Sequence, residues 1–434
     1  MVWAWRGSRY RRSLSRRDLL FTCALIFHHS LGSSFGNSKF PKRRFEVYWN
    51  VPSASCTKNY TLDPSVYGIR TNDKQQFHGS EIVIFYEDQL GYYPRCEAEK
   101  ITDQNLTRPK YRIKKCVNGG LPQNANLTEH LNKAREDIEK LIPSITFSGP
   151  AVIDWESWRP AYSLNWADRT IYRSLSTRDA KRRFPDLSDR EAHKVGRELF
   201  NSAARQFVRE TILLARKLRP YAQWGFYDFP LCNYDSGESG EWECRKKFEN
   251  YNTELLWMYE YVKAFYPPIY LYDISQDPDI VRRYVHAKIL ETRWVQFKLG
   301  KTKTPIYAYS KIEYDPYQLD TPFYTDAAIC STLEYPANYG LKGAIIWSSS
   351  WNMTQRCGQI ADYVSATLGP VTKQTHSRVD RCSAKMCNNH GRCQLKNPQN
   401  ESIGCAHDYY PEDYTCKCDA GYTGEYCESF SLII

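Results

Sequence analysis

Two carboxylates, two positions apart, end an apolar run in the stretch AVIDWESWRP, residues 151–160. On a strand, residues i and i+2 point to the same face with Cα atoms about 6–7 Å apart, so the carboxyl groups of Asp154 and Glu156 are expected side by side. Each disfavours ionisation of the other, and one proton is expected to stay on the pair near neutral pH. A carboxyl group that keeps its proton can act as a general acid toward a glycosidic oxygen.

The same spacing argues against one kind of glycosidase. Enzymes that use two carboxylates in the ordinary way place them on opposite sides of the sugar, and neighbours on one strand do not straddle a ring. Substrate-assisted enzymes instead use the 2-acetamido group of the sugar as nucleophile. Glu156 is then expected to act first as acid and afterwards as base, while Asp154 orients the acetamide. The alternative is that both carboxylates form ion pairs with Arg159 and other cations in a loop.

Short β-rich stretches alternate with helical patterns from residue 45 to about residue 370. Enrichment in Val, Ile and aromatic residues indicates strands, and apolar residues three and four apart indicate helices. The predicted strands cover residues 45–50, 81–86, 151–156, 223–229, 267–273, 304–310 and 342–350. The predicted helices cover residues 126–142, 188–219, 249–265 and 279–299, with a last helix that ends before 368–370. About seven strands separated by helices of crossover length predict an α/β fold, a β/α barrel rather than a doubly wound sheet.

In a β/α barrel the chemistry lies at the carboxyl ends of the strands. Polar and aromatic residues gather at those ends here: Tyr48, Asn50, Tyr86, Asp154, Glu156, Tyr227, Asp228, Tyr270 and Trp347. Tyr and Trp combine flat apolar faces with a polar edge, which suits sugar ligands. A chain with 33 Tyr and 12 Trp also places some of them in an ordinary core.

The first 36 residues have the pattern of a secretory signal peptide. Six arginines precede an apolar run over residues 19–27, and small residues follow. A bilayer span needs about 20 apolar residues, so we expect a secreted, extracellular protein with no membrane span in its mature form. A signal anchor is the alternative.

Charge limits the class of partner. Without residues 1–36 the net charge falls from +10 to about +5. A mildly basic secreted protein favours anionic partners such as acidic polysaccharide, and no basic run of the nucleic-acid-binding kind is present. We expect a monomer.

Cysteine usage agrees with export. Of 15 cysteines, Cys23 lies in the signal segment, which leaves an even 14 for disulfides. Six of these crowd into the tail, residues 376–434: Cys382, Cys387, Cys393, Cys416, Cys418 and Cys427. Their spacing resembles an EGF-like module, a small domain held mainly by disulfides. That resemblance implies the pairs Cys382–Cys393, Cys387–Cys416 and Cys418–Cys427.

The other cysteines belong mainly to the barrel, residues 37–375. Cys96 and Cys116 are expected to form a local pair. Four more flank the barrel elements: Cys56, Cys232, Cys244 and Cys357. Cys330 and Cys405 remain, and we expect a bridge between barrel and tail. Five sequons predict N-glycosylation, at Asn59, Asn105, Asn126, Asn352 and Asn400.

Several longer motifs carry a family resemblance: AVIDWESWRP, NGGLPQNANL (118–127), VYWNVPSASC (47–56), WGFYDFPLCNY (224–234) and GAIIWSSS (343–350). They resemble hyaluronidases of glycoside hydrolase family 56, over roughly residues 45–430, and the EGF-like module matches the mammalian type. The resemblance implies a distorted β/α barrel and endo-hydrolysis of the β-1,4 N-acetylhexosaminide bonds of hyaluronan with retention. It implies chondroitin as a frequent second substrate.

The resemblance also assigns roles to residues. Glu156 is similar to the catalytic acid and Asp154 to its acetamide-positioning partner. Tyr227 is expected to hydrogen-bond the acetamide or the carboxylate pair. The remaining candidates are Tyr270 and Trp347 lining the −1 sugar pocket, Arg159 and Asp315 as supporting polar groups, and Tyr93 as a sugar-stacking residue. Each of these aromatic residues has a place in the core as its alternative.

The chain departs from the mammalian pattern at Leu231, where that pattern has an acidic residue, and at Pro268, where it often has Ser. We expect these changes to alter contacts at the rim of the site and thus substrate preference. A chondroitin-preferring hydrolase and a non-catalytic hyaluronan-binding or adhesion protein are the alternative functions. No metal or cofactor is predicted, because no His/Cys cluster outside the disulfide set has ligand spacing.

Overall fold

A computed structural model describes residues 44–101, 110–399 and 409–431. The strands are β1 (Glu46–Asn50), β2 (Arg70–Thr71), β3 (Val83–Phe85), β4 (Arg95–Ile101), β5 (Lys110–Val117), β6 (Pro150–Ile153), β7 (Gln223–Phe226), β8 (Tyr307–Ser310), β9 (Gly343–Trp347), β10 (Gly391–Leu395), β11 (Tyr414–Cys418), β12 (Tyr422–Thr423) and β13 (Ser429–Phe430). The helices are α1 (Leu127–Leu141), α2 (Thr170–Arg183), α3 (Asp189–Leu218), α4 (Lys246–Glu254), α5 (Leu256–Tyr259), α6 (Pro278–Lys298), α7 (Asp326–Ile329), α8 (Tyr335–Asn338), α9 (Met353–Tyr363) and α10 (Gly369–Met386).

The chain forms a distorted β/α barrel. One parallel sheet has the order β2-β1-β9-β8 and a second has the order β3-β6-β7. Isolated parallel bridges join β7 to β8 through an irregular segment, residues 265–268. Among the described strands no pairing joins β3 to β1 or β2, so the ring stays open there. The predicted barrel of about seven strands is confirmed, as β1, β3, β6, β7, the irregular segment, β8 and β9.

The predicted strand over residues 267–273 is wrong. Proline has no N–H to donate to a ladder, and Pro267 and Pro268 stand side by side where the strand would begin. The backbone still follows β8, because the Ile269 N–H donates to the Tyr309 carbonyl at 2.8 Å. The segment therefore completes this side of the barrel without being a regular strand.

The predicted start of α3 is confirmed, whereas the predicted end of the last helix is not. At the start of α3, Ser188 and Glu191 form a reciprocal capping box. The prediction that the last helix ends before 368–370 is wrong, because a wide π turn, Val364–Leu368, carries α9 directly into α10. Pro370 lies in the first turn of α10, where a missing N–H is tolerated. The boundary predicted between residues 375 and 376 falls inside α10.

The disulfides match the pairing expected for Cys96–Cys116 and for the tail, and they also pair the four barrel cysteines for which no partners were predicted. The described bonds are Cys56–Cys357, Cys96–Cys116, Cys232–Cys244, Cys382–Cys393, Cys387–Cys416 and Cys418–Cys427. Cys330 is also disulfide-bonded. Cys382–Cys393 and Cys387–Cys416 hold the hairpin β10–β11 to the end of α10, and Cys418–Cys427 joins β11 to the hairpin β12–β13. We call this region, residues 382–431, the C-terminal module. The pairing implied by the EGF-like resemblance is thus confirmed.

Some predictions fall on residues that the structure does not describe: the signal peptide at 1–36, Cys405, and the sequons at Asn105 and Asn400. Asn59, Asn126 and Asn352 are exposed. In the described part of the chain, no helix has both the length and the apolar character that a membrane crossing requires.

Candidate active site

A cavity of about 460 Å³ opens at the carboxyl ends of the barrel strands. Its walls come from several strands and loops: Ile84, Tyr86, Glu87, Asp88, Arg95, Asp154, Glu156, Tyr227, Tyr270, Tyr309, Tyr317 and Trp347. The structure therefore brings together five of the predicted site residues, the two carboxylates and three of the aromatic residues. Arg159, Asp315 and Tyr93 lie outside this lining.

The carboxylate pair lies where β6 passes into a loop. Regular strand ends at Ile153, one residue before Asp154. The Asp154 N–H still donates to the Phe85 carbonyl of β3 at 2.9 Å, and the Tyr227 N–H donates to the Ile153 carbonyl at 3.0 Å. Asp154 is thus fixed by the sheet on both sides, while Glu156 stands just beyond it.

Glu87, which the sequence reasoning did not select, holds the loop that carries Glu156. Its carboxylate accepts the Glu156 N–H at 3.1 Å and the Ser157 N–H at 2.6 Å. It also accepts the Ser157 hydroxyl at 2.9 Å and pairs with Arg95 at 3.2 Å. Glu87 directly follows the predicted strand over residues 81–86, and this position could have identified it as a candidate site residue.

The aromatic side chains form a connected wall. The Trp347 indole N–H donates to the Tyr86 hydroxyl at 2.9 Å. The rings of Tyr270 and Trp347 stack with centroids 6.0 Å apart and planes 22° apart. Tyr227 continues the wall, with its ring 6.1 Å from Tyr270 and 5.4 Å from Tyr309. A flat aromatic surface beside two carboxylates is the shape expected of a sugar-binding cavity.

Both carboxyl groups of the pair hold protons more tightly than usual. Burial, and then the charge of Glu156, raise the pKa of Asp154 well above its ordinary value. The pKa of Glu156 is raised too, by desolvation within the cleft and by the nearby carboxylate of Asp228. Glu156 is exposed to the cavity, whereas Asp154 is half-buried with one carboxylate oxygen, Oδ1, that has no hydrogen-bond partner. The pair can therefore supply a proton and still offer an acceptor.

Arg159 does not pair with either catalytic candidate. Its guanidinium binds Asp228 at 3.2 Å and lies 4.4 Å from the ring centre of Trp166. Both members of this ion pair are largely buried. The loop alternative, in which Arg159 neutralises Asp154 and Glu156, is thus not what the structure shows. Arg159 instead forms an ion pair with a third carboxylate near the site, that of Asp228.

Tyr93 is misassigned as a sugar-stacking residue. It is 1% exposed, and its ring stacks on Trp155 at 4.7 Å and on Trp158 at 5.0 Å. A ring enclosed in this way has no free face for a sugar. Its hydroxyl accepts the Trp158 N–H at 3.1 Å, so Tyr93 supports the loop after the pair.

Asp315 and Leu231 also lie away from the cavity surface. Asp315 accepts the Tyr317 N–H at 3.0 Å and the side-chain amide of Gln318 at 2.7 Å, so it shapes the loop that brings Tyr317 to the cavity. Leu231 is 3% exposed and exchanges two hydrogen bonds with Asn252. Pro268 is buried as well. Neither Leu231 nor Pro268 lines the cavity, so the expected effect of these two residues on substrate preference remains a prediction.

The raised pKa of Asp154 predicts a stability effect. A carboxyl group that binds its proton more tightly in the folded state contributes stability at low pH that is lost as the pH rises. We expect Asp154→Asn to raise Tm at pH 7 by roughly 1–3 °C, with the gain disappearing near pH 4. Thermal unfolding across this pH range measures it, with the exposed Asp168→Asn as control. A Tm that falls at pH 7 contradicts the electrostatic description.

Within the residues that the structure covers, no group of three or more His, Cys, Asp or Glu is arranged to hold a metal ion. The polar groups that line the cavity are carboxylates, phenols, one indole and the guanidinium of Arg95.

The fold and the cavity together define a class of protein, the β/α-barrel glycoside hydrolases. The family model for hyaluronidase, glycoside hydrolase family 56, matches residues 36–406. The chain belongs to this family and is a hydrolase of the hyaluronidase and chondroitin hydrolase group.

Individual relatives agree with the family assignment. A chondroitin hydrolase from Caenorhabditis elegans is 33% identical over 415 residues, which cover 95% of this chain and 86% of that protein. A hyaluronidase from Crotalus adamanteus is 29% identical, with 91% and 92% covered. The crystal structure of bee venom hyaluronidase in complex with a hyaluronic acid tetramer matches with a TM-score of 0.65 at 29% identity. That match covers 76% of this chain and 98% of the bee protein.

Proposed function

We propose that the protein is a secreted endo-β-N-acetylhexosaminidase that hydrolyses the β-1,4 linkages of hyaluronan with retention of configuration. One observation carries the proposal: Asp154 and Glu156 stand side by side in an aromatic cavity, both with raised pKa values. The hyaluronan oligosaccharide bound by the bee venom relative supports the choice of substrate.

In the first step, Glu156 donates its proton to the glycosidic oxygen as the bond to the anomeric carbon breaks. The acetamide oxygen of the same sugar attacks that carbon from the opposite side, which gives a cyclic oxazolinium ion. Asp154 accepts a hydrogen bond from the acetamide N–H and stabilises the positive charge. Its unpartnered oxygen supports this role, because a buried acceptor without a partner is costly until a ligand supplies the donor.

In the second step, Glu156 acts as base. It removes a proton from water, and the water oxygen attacks the anomeric carbon on the face that the leaving sugar occupied, while the bond between that carbon and the acetamide oxygen breaks and the acetamide is restored. Two displacements at one carbon restore its original configuration. Tyr227 supports the acetamide, and the stacked rings of Tyr270 and Trp347 bind the sugar.

A chondroitin-preferring hydrolase is the second candidate. It is favoured by the 33% identity to the nematode chondroitin hydrolase, against 29% for the snake venom enzyme. The two polymers differ in their hexosamine. Residues around the cavity, rather than the carboxylate pair, would therefore discriminate between them.

Product sizing tests both candidates. Purified protein is incubated with hyaluronan and with unsulfated chondroitin, and products are sized over time. We expect even-numbered oligosaccharides from hyaluronan, with chondroitin degraded more slowly; faster chondroitin degradation supports the second candidate. Inactivity on both polymers across pH 3–8 contradicts both and favours a non-catalytic binding protein.

The proposal of secretion has its own support. The signal-like segment at residues 1–36 precedes the barrel, and the described residues contain many disulfides, which persist in oxidising compartments. The exposed sequons at Asn59, Asn126 and Asn352 are accessible to glycosylation. The C-terminal module is proposed to be EGF-like, and the protein to act as a monomer.

A further inference from the structure

A second cavity lies at the other end of the barrel. It is a groove of about 570 Å³ between the C-terminal module and the chain around the end of α6. Thr302 and Lys303, which line it, precede β8, whereas Glu156 follows the carboxyl end of β6. Because the barrel strands are parallel, the groove and the catalytic cavity open at opposite ends.

Three cations, Arg293, Lys303 and Lys417, line the groove, and no described lining residue is acidic. Lys417 stands directly opposite Arg392 in the ladder of β10 and β11. Like charges opposite each other destabilise a pair of strands. Asp419 compensates Arg392 at 3.3 Å. No ion pair of Lys417 is found among the described residues.

Two of these cations, Lys417 and Arg293, are also held partly away from water. Burial, with the charges of Arg293 and Arg392, lowers the pKa of Lys417 to about 7. Burial lowers the pKa of Arg293 to about 10, and its guanidinium donates to the Tyr339 carbonyl oxygen rather than to a carboxylate. Half-buried cations that face one another without an acid lack a countercharge, which an anionic ligand would supply.

We propose that this groove is a second binding site for an acidic glycan, in which a carboxylate or sulfate group of the chain lies between Lys417 and Arg293. Hydrogen bonds between such groups and charged nitrogen donors are of the stronger kind. The hydroxyl of Thr302 and the amide of Gln394 offer partners for sugar hydroxyls. A concave groove between two parts of the fold suits a single extended chain, whereas a membrane surface requires a flat or convex face.

Calorimetric titration of the full-length secreted protein tests the proposal. The probes are a heparin octasaccharide, which carries sulfates and carboxylates, and an oligogalacturonate of equal length, which carries carboxylates only. Neither contains a β-1,4-linked N-acetylhexosaminide of the proposed substrate. We expect Lys303→Glu and Lys417→Gln each to weaken binding by about tenfold or more, and added salt to weaken it further. Binding of heparin alone assigns the site to sulfate, and binding of both probes assigns it to acidic groups in general.

The matched control is Lys140→Glu, an equal charge change at an exposed position of α1. It is expected to bind both probes within about twofold of wild type. Lys303 is exposed, so its substitution keeps the fold even where a change at the part-buried Lys417 does not. Absence of binding by the wild type, or equal binding by the wild type and Lys303→Glu, overturns the proposal. Turnover at the catalytic cavity is expected to be unchanged in Lys303→Glu, so the two proposals fail separately.

Discussion

Replacement of Glu156 by Gln is expected to lower kcat on hyaluronan by about a thousandfold. Proton transfer by a positioned acid contributes about 10²–10⁴-fold to a rate. Gln keeps the size and hydrogen-bonding shape of Glu but has no proton to donate to the leaving oxygen. The rate of reducing-end formation on hyaluronan of defined length measures the loss.

The control for this substitution is Glu198→Gln on the exposed face of α3, which is expected to keep full activity. Thermal unfolding checks that the Glu156 variant is folded, which is expected because the structure shows no hydrogen bond or ion pair of the Glu156 side chain to the described residues. A kcat for Glu156→Gln within tenfold of the wild-type value would show that Glu156 is not the general acid.

Asp154→Asn is expected to lower kcat by about 10²–10³-fold with little change in KM. The interaction that it removes forms as positive charge develops on the acetamide, and loss of one such preorganised group costs about 10²–10³ in kcat. An interaction made only in the transition state affects kcat rather than KM. Initial rates over a range of substrate concentrations separate the two constants.

A second experiment distinguishes an orienting role of Asp154 from a nucleophilic one. If Asp154 formed a covalent bond to the sugar, Asp154→Ala would be rescued by azide, with release of a glycosyl azide. We expect no rescue, because in the proposed mechanism the substrate's own acetamide is the nucleophile. The gain in Tm expected for Asp154→Asn shows at the same time that lost activity does not reflect unfolding.

The proximity of Asp154 and Glu156 could be predicted because it depends on local rules. Alternation along a strand and the two-residue spacing placed Asp154 and Glu156 together, and the structure keeps them in one cavity although the strand ends at Ile153. Disulfide pairing in the C-terminal module was implied by the resemblance of its cysteine spacing to that of an EGF-like module. These features are encoded within short stretches of chain.

The contacts that could not be predicted are those between residues that are far apart in the sequence. Glu87 meets the Glu156 N–H from 69 residues away, and Arg159 meets Asp228 at the same separation. Tyr93 was misassigned because an aromatic residue in a Tyr-rich sequence gives no sign of whether its ring faces a cleft or a core. Tyr93 is buried because it packs between Trp155 and Trp158, which belong to a segment distant in the sequence.

The configuration of the first product tests the central claim most directly. Proton NMR during the first minutes of hyaluronan hydrolysis separates the α and β anomers of the new reducing end before mutarotation mixes them. Attack by the acetamide followed by water predicts that the β anomer appears first and the α anomer follows. Initial formation of the α anomer would mean a single displacement by water, which Asp154 and Glu156, standing on one side of the sugar, cannot perform.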